Sequence, residues 1–487
     1  MAVGRLAGAL LAALLLFPAA AAAQDDIVRH VEVLGSTLDA TALAQAARPF
    51  IGAPLDRAAL QHLTDALSAL YAASDIGLYT VVVPDQNFAG GDVRIAAYEG
   101  FIEQVDLHGA AAGDAALVQA YGRRLAAERP LRKSTLQRYA ALLRGIAGLA
   151  VDIQIQPGSR PGAARLSLGL ARTAPRIAVT LDNQGMPQLG RLQVQAEADF
   201  HGVLRDGDTT VLAAAAPVRL SGFQYIALSQ STPLDGDGTA ALAATSYLHA
   251  RPAGAAEEAA TLQLGVSHIF VRDFDSALAG SLGIDALDNA VHHVSVENVR
   301  ALRLALSYVR GEPNQMLSLS AGAGFGVAGL GAKIAGTFPG DRTFRKLTLQ
   351  AALARRLDDD FILRLHGVAQ YAASRLPPSE LYLFGGSNIG AAYDPAALFG
   401  DSALGGRAEL GYRLPSGREL YAFLDGGEAW LRARPGFAAW QGGLASAGGG
   451  ILLSLGSRGT LDIAAAAAMP ARGPDVRLSF ALRAETD

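Results

Sequence analysis

The chain has 487 residues, 51% of them hydrophobic, with no cysteine and a formal net charge of -4. The lack of cysteine excludes a disulfide framework, a zinc-thiolate site and a catalytic thiol, and the near balance of charge gives no electrostatic footprint for nucleic acid. Beyond the N-terminus there is no clean apolar run of about 18 residues, the length a membrane helix needs; the nearest stretch, MLSLSAGAGFGVAGLGAKIAG from Met316, is broken by Gly322, Gly324, Gly326, Gly329 and Gly331 and makes a poor helix.

Residues 1–23 read as a secretory signal peptide: Arg5 leads, an apolar run extends to Phe17, and small residues offer A-x-A cleavage options before Gln24. From 24 to 100 short strands and helices alternate. VRHVEVLG reads as a strand. LDATALAQAARPF and LDRAALQHLTDALSALYAAS read as helices, the second carrying Leu60, Leu63, Leu67, Leu70 and Tyr71 on one face. LYTVVVP and GDVRIAAYEG follow as strands. The order repeats over 101–173, with FIEQVDLHG, two helices (the second with Ser134 as its expected N-cap), then AVDIQIQPG and ARLSLGLAR. Two β-α-α-β-β units form a tandem repeat, each able to bury a small core. This repeat leaves little chain before its first strand.

From 174 to 487 the helical period gives way to alternation. In GRLQVQAEADF, Leu192, Val194, Ala196, Ala198 and Phe200 share one face, and Gln193, Gln195, Glu197 and Asp199 the other. DDFILRLHGVAQY places Phe361, Leu363, Leu365 and Tyr371 opposite Arg364, His366 and Gln370. Period two with a fully polar second face describes a strand between lipid and a wet lumen. Turn signals such as DGDG (Asp235–Gly238) and LDDD (Leu357–Asp360) divide the region into about sixteen strands, the even number a closed bacterial barrel takes. The alternative is a large soluble β-sandwich, against which the signal peptide and the long unbroken series argue.

Several motifs suggest chemistry that their context does not support. GFGVAG, Gly324–Gly329, matches G-x-G-x-x-G, but no helix follows it. Asp235 and Asp237 lack the later ligands of a calcium loop. His292 and His293 are adjacent, which on a strand points them to opposite faces. Gly385-Gly386-Ser387-Asn388 begins a serine nucleophile elbow, but Ile389 holds its last position. We expect no enzyme, cofactor or metal.

The whole arrangement resembles the two-partner secretion transporters, the TpsB or hemolysin secretion/activation family, in which the tandem units are periplasmic POTRA domains. The residues that carry it are Tyr71, Gly77, Pro84, Gln86, Gly91, Glu99 and Gly100 in the first unit, the Pro157-Gly158 turn in the second, Asp182, Asn183, Gly185 and Gly190 in a first barrel hairpin, and FLDGG, Phe423–Gly427. The resemblance implies an outer-membrane pore of a Gram-negative bacterium, a monomer in lipid with its POTRA domains in the periplasm, that captures an unfolded exported partner protein by β-augmentation and passes it to the cell surface. Readings from other classes are a barrel assembly factor and a passive porin. The chain ends VRLSFALRAETD, so its last aromatic, Phe480, is not terminal.

The family also carries a loop of the form F-x-G-G-x-x-x-V-R-G-F/Y, then G-D, that folds into the barrel. Here Phe384, Gly385, Gly386, Tyr393, Gly400 and Asp401 are in place, but Gly390, Ala391 and Ala392 stand at the Val-Arg-Gly positions. The family's arginine meets an inward carboxylate matched by Asp425. Its loss leads to the expectation that Arg407 or Arg413, alternating inward with Glu409 on the preceding strand, lies across from Asp425; the alternative is an Asp425 hydrated in a wide lumen.

Overall fold

The computed structural model describes residues 27–111, 115–252, 255–415, 417–469 and 476–486. The expected signal peptide lies outside them. The chain divides into two compact units, Met1–Gly100 and Phe101–Asp487.

The first unit holds β1 (His30–Leu34), α1 (Ala40–Ala47), α2 (Arg57–Ala73), β2 (Tyr79–Val82) and β3 (Asp92–Glu99). Asp39 and Asp56 cap the helices, accepting the Ala42 and Ala59 N–H groups, because short carboxylates satisfy donors that a helix start leaves open. The sheet order is β1-β3-β2, with β1 parallel to β3. Leu63, Leu67, Val93 and Ile95 form its core. Tyr71, at the end of the α2 stripe, is fully buried: its hydroxyl donates to Glu99 at 3.0 Å and shares a 2.6 Å hydrogen bond with the Ser36 hydroxyl. Burial pushes this phenol up to about 12.

The second unit opens with the same order: β4 (Phe101–His108), α3 (Ala116–Ala127), α4 (Lys133–Arg144), β5 (Leu149–Pro157) and β6 (Ala163–Arg172), in the sheet order β4-β6-β5. Ser134 is not the N-cap of α4. Arg132 holds that position without a side-chain cap bond, and its own N–H is taken by the Glu128 carboxylate at 3.1 Å, which fixes the helix start one residue before the serine's turn to cap.

A closed antiparallel barrel follows β6, its sixteen staves running from Arg176–Asp182 to Val476–Glu485 among the described residues. The last stave pairs with the first from Ala481↔Asp182 to Glu485↔Ala178, which removes the free edges of the sheet. A four-residue strand, Lys333–Gly336, pairs only with the end of Ser295–Glu312; it is an appendage, since Gln315–Gly326 pairs directly with Arg345–Arg356. The expected alternation is present. Leu192, Val194, Leu282, Ile284, Leu404 and Leu424 are exposed on the outer face, an apolar belt too extensive for a protein surface in water. His292 and His293 sit in a turn, not on a strand, and their rings meet edge-on at 4.8 Å.

The second α/β domain is docked on the barrel turns of its own side. Arg138 donates to the carbonyls of Asp237 and Ile269, each at 2.9 Å, and of Phe270 at 3.0 Å. Tyr139 donates to Asp237 Oδ1 at 3.0 Å. The LDGDG turn is thus a hairpin, as its residues predict, and also a receptor for a guanidinium. Arg138→Ala should weaken this docking by about 2–3 kcal/mol, the worth of bonds from a charged donor. Hydrogen exchange at the turns near Asp237 and Phe270 should rise while the barrel melts unchanged; unaltered exchange there would show that the docking does not depend on Arg138.

Candidate functional site: the lumen and its inward loop

Between the staves Phe361–Ala372 and Ser402–Leu414 the chain runs inward over residues 373–401. Its first part is fixed by charge. Glu380, in a short 3-10 turn at Pro378–Glu380, is buried and accepts from Arg303 at 2.5 and 3.1 Å and from Lys346 Nζ at 2.8 Å. Arg303 also holds Asp285 at 2.8 Å. Beside it, Glu297 accepts the Ser379 N–H at 3.0 Å.

The middle is a miniature hairpin, Tyr382–Phe384 against Leu398–Gly400. Phe384 is buried, and its ring lies where side chains at Gly405 and Gly427 would project; a Cβ at either would stand 2.6 Å from it. Gly405 and the last glycine of FLDGG therefore clear a seat for the loop's aromatic, whose burial is worth about 1.5–3 kcal/mol. Ile389, which spoils the nucleophile elbow, is buried with Phe384, Leu398, Ala403 and Leu444. Ser387 has no catalytic neighbours: its carbonyl accepts from Arg407 at 3.0 Å.

At the tip, Gly385 N–H reaches the Ile389 carbonyl at 2.9 Å, Tyr393 N–H reaches Gly390 at 2.9 Å, and Gly386 N–H reaches Tyr393 at 3.0 Å. Ala392 lies within the second of these turns. Gly385 has φ of +113° and a Cβ there would meet the Asp394 carbonyl at 2.0 Å, so only glycine fits. Asp394 is held from outside the loop by Arg191, at 2.6 and 3.2 Å, and Arg477 at 3.5 Å.

The tip meets the wall at Asp425, whose side chain is fully buried. The carboxylate accepts the N–H of Gly390 at 2.8 Å and of Ala391 at 3.4 Å, and the Ser446 hydroxyl. Arg407 pairs with Asp425 in register and its Nη1 lies 3.6 Å from Oδ2. The same guanidinium holds Glu409 at 2.7 Å and lies 3.7 Å above the Phe423 ring. Arg413 is elsewhere. It pairs in register with Glu419, about 20 Å along the strand from Asp425 at roughly 3.3 Å per residue.

The exit of the loop is its firmest point. Asp401 and Arg434 form an ion pair with both side chains fully buried, Nη2 to the two oxygens at 2.8 and 2.7 Å. Asp401 also accepts the Leu376 N–H at 2.6 Å and the Arg432 N–H at 2.7 Å, while Arg434 donates to the Leu376 carbonyl at 3.0 Å and lies 4.1 Å above Phe338. The sequence reading names Asp401 but misses Arg434, Glu380, Arg303 and Lys346. One signal was available: Gly405 and Gly427 share the inward parity and pair in register, so something large must fill the space above them.

One lumen residue has another role than expected. Gln370 is buried beneath the loop, donating to the Glu380 and Asp401 carbonyls at 3.1 Å each, so it does not line a wet path. Arg364 stays on the half-exposed wall, paired with Glu419 and with Glu409 at 3.0 Å. A cavity of about 430 Å³ lies elsewhere on the wall, lined by Thr209, Ser229, Ser231, Gln263, Ser281 and Asp285. Asp425→Ala removes the acceptor of two loop N–H groups. In the otherwise cysteine-free chain, a cysteine placed at the buried tip position by Ile389→Cys should then react with a membrane-impermeant maleimide about tenfold faster than with Asp425 present, as loss of bonds to a charged acceptor implies; equal labelling would mean that Asp425 does not hold the tip.

This architecture is matched by known proteins. The family model of haemolysin secretion/activation protein ShlB/FhaC/HecB matches residues 166–453, and that of the ShlB-type POTRA domain matches 27–100. The chain is 22% identical over 219 residues to the heme/hemopexin transporter protein HuxB of Haemophilus influenzae, a match over 44% of this chain and only 38% of that protein. Among solved structures, CdiB from Escherichia coli superposes with a TM-score of 0.75 at 19% identity, over 97% of this chain and 93% of that one. CdiB from Acinetobacter baumannii gives 0.65 at 16%, over 96% and 91%. BamA from Haemophilus ducreyi lacking POTRA domains 1-3 gives 0.55 at 13%, over 95% and 100%. At these identities the structures show a shared fold.

Proposed function

The chain belongs to the ShlB/FhaC/HecB haemolysin secretion/activation family and is an outer-membrane transporter of the TpsB type, and on that premise we propose that it captures its exported partner in the periplasm as an unfolded chain and passes it through the barrel to the cell surface. The observation that carries the reading is the open sheet edge in each POTRA domain. Among the described residues β2 pairs only with β3, and β5 only with β6. Each leaves a row of backbone donors and acceptors to which an extended segment can add, with affinity from the main chain and selectivity from alternate side chains.

Along β5 the alternation is Val151, Ile153 and Ile155 against Asp152, Gln154 and Gln156, so an added strand meets a polar outer face and an apolar inner one. The lumen supplies the route. Gln195 and Glu197 on the inward face of Gln193–His201 give water a wall to wet, and the loop covers the stretch around Asp425. The protein acts as one chain with its apolar belt in lipid. Translocation draws no energy from a nucleotide; folding of the partner outside pulls the chain forward.

The test is a comparison of surface and secreted proteins between cells with and without this chain. One large exported protein should vanish from the surface and medium while other barrels keep their abundance. General loss of outer-membrane barrels would contradict the reading in favour of assembly, and an unchanged protein profile with altered solute uptake would contradict it in favour of a porin.

A further inference from the structure

The two POTRA domains share a fold and differ in charge. Residues 24–100 carry 4 Lys and Arg against 10 Asp and Glu, whereas residues 101–173 carry 10 against 5. Part of the second domain's excess is spent on the barrel, through Arg138 on the turn carbonyls, Arg144 at 5.5 Å from the Phe274 ring and Arg172 at 3.9 Å from Asp206. Another part is not. Arg123, Arg124, Arg129, Arg132 and Arg160 are all exposed, and none forms an ion pair among the described residues.

Three of these arginines, Arg129, Arg132 and Arg160, gather at one end of the domain. Arg129 and Arg160 lie over the same ring, Phe101, at 4.4 and 5.2 Å from its centroid. Cation-π attraction holds each one there, but two like charges on one ring repel, and an anion beside them relieves that repulsion. Arg132 follows in the α3–α4 connection, whereas Arg124 lies on the side of α3 nearer Tyr139 and the barrel turn that Tyr139 meets. Glu103, the nearest acid on β4, is occupied by the Ser159 N–H and hydroxyl, each at 2.7 Å, and by Arg165 at 3.5 Å.

The position of the cluster decides its partner. Phe101 pairs with Ala163 at the start of β6, and β6 runs from there to Arg172, just before the first barrel stave. That is about 30 Å of extended chain at 3.3 Å per residue. The contacts to the barrel come from the other end of the helical pair: Leu117 and Ile146 lie against Gly207 and Ala120 against Gly236. The cluster therefore lies at the end of this domain away from the barrel turns and the lipid headgroups beside them.

We propose that this cluster, Arg129, Arg132 and Arg160 around Phe101, is a docking point for an acidic segment of the exported polypeptide. The inference rests on the capture reading above and adds a charge criterion to it. Backbone addition to a sheet edge accepts almost any extended sequence; an arginine cluster beside it selects carboxylates, which guanidinium groups bind through paired N–H donors. Charge at an exposed patch contributes mainly to encounter rate and to rejection of wrong partners.

The experiment uses the full-length protein in detergent and three fluorescent peptides of about 12 residues, long enough to run along a strand edge: alternating Thr-Glu, Thr-Gln and Thr-Lys. Fluorescence anisotropy should give the Thr-Glu peptide about tenfold tighter binding than Thr-Gln, an advantage that fades with added salt. The triple variant R129E/R132E/R160E should lose that advantage and prefer Thr-Lys, a gain that an unfolded domain would not produce. If Thr-Gln binds as tightly as Thr-Glu, capture stands and the charge criterion fails. If no peptide binds, capture by sheet edges fails with it. A Thr-Glu preference that survives the triple reversal also overturns the assignment.

Discussion

The buried pair of Asp401 and Arg434 is the constraint on which the loop depends. An inward loop must give up the freedom of its backbone and bury polar groups, and neither cost is met unless its ends are held. Asp401 supplies the hold by accepting from Arg434 and from two backbone N–H groups, Leu376 at the loop's beginning and Arg432 on the next connection. Two connections across the barrel rim are thereby joined at one carboxylate. A charge placed so deeply is tolerated only when fully partnered, and removing one member costs about 3–5 kcal/mol.

With the base fixed, the remaining contacts are short-range consequences. Phe384 reaches the seat above Gly405 and Gly427, Glu380 reaches Arg303 and Lys346, and the tip reaches Asp425. The tip carries no cation of its own. It offers Asp425 only backbone N–H groups, while the positive charge comes from Arg407 on the neighbouring stave. Since Arg407 and Asp425 are held in register by the barrel, the carboxylate keeps its counter-charge whether or not the tip is seated, and the contact of the tip with Asp425 is a matter of hydrogen bonds beside the buried Ile389.

Much of this was open to a reader of the sequence, because the period of a hydrophobic pattern survives without coordinates. Leu63, Leu67 and Tyr71 at helical spacing, and Leu192 to Phe200 at spacing two, report directly which face is covered. The frame of the loop, from Phe384 to Asp401, was legible through its glycines and its resemblance to a family pattern. Arg434 was not, since an arginine in a connection has no periodicity and its partner is set by how two loops meet. The same holds for Gln370, whose inward parity was read correctly but whose burial depends on what lies over it. Ser134 and the two histidines failed for a local reason: a cap or a turn is fixed by one or two backbone angles, which composition does not determine.

The most direct measurement is hydrogen exchange over residues 382–400 in the protein and in Arg434→Met. If the buried pair holds the loop in the lumen, protection should fall across the whole hairpin and tip while the staves Arg345–Arg356 and Phe361–Ala372 stay protected. Loop protection equal to that of the parent would contradict the account, because the loop would then be held by its other contacts, Glu380, Phe384, Asp394 and the tip, without the pair.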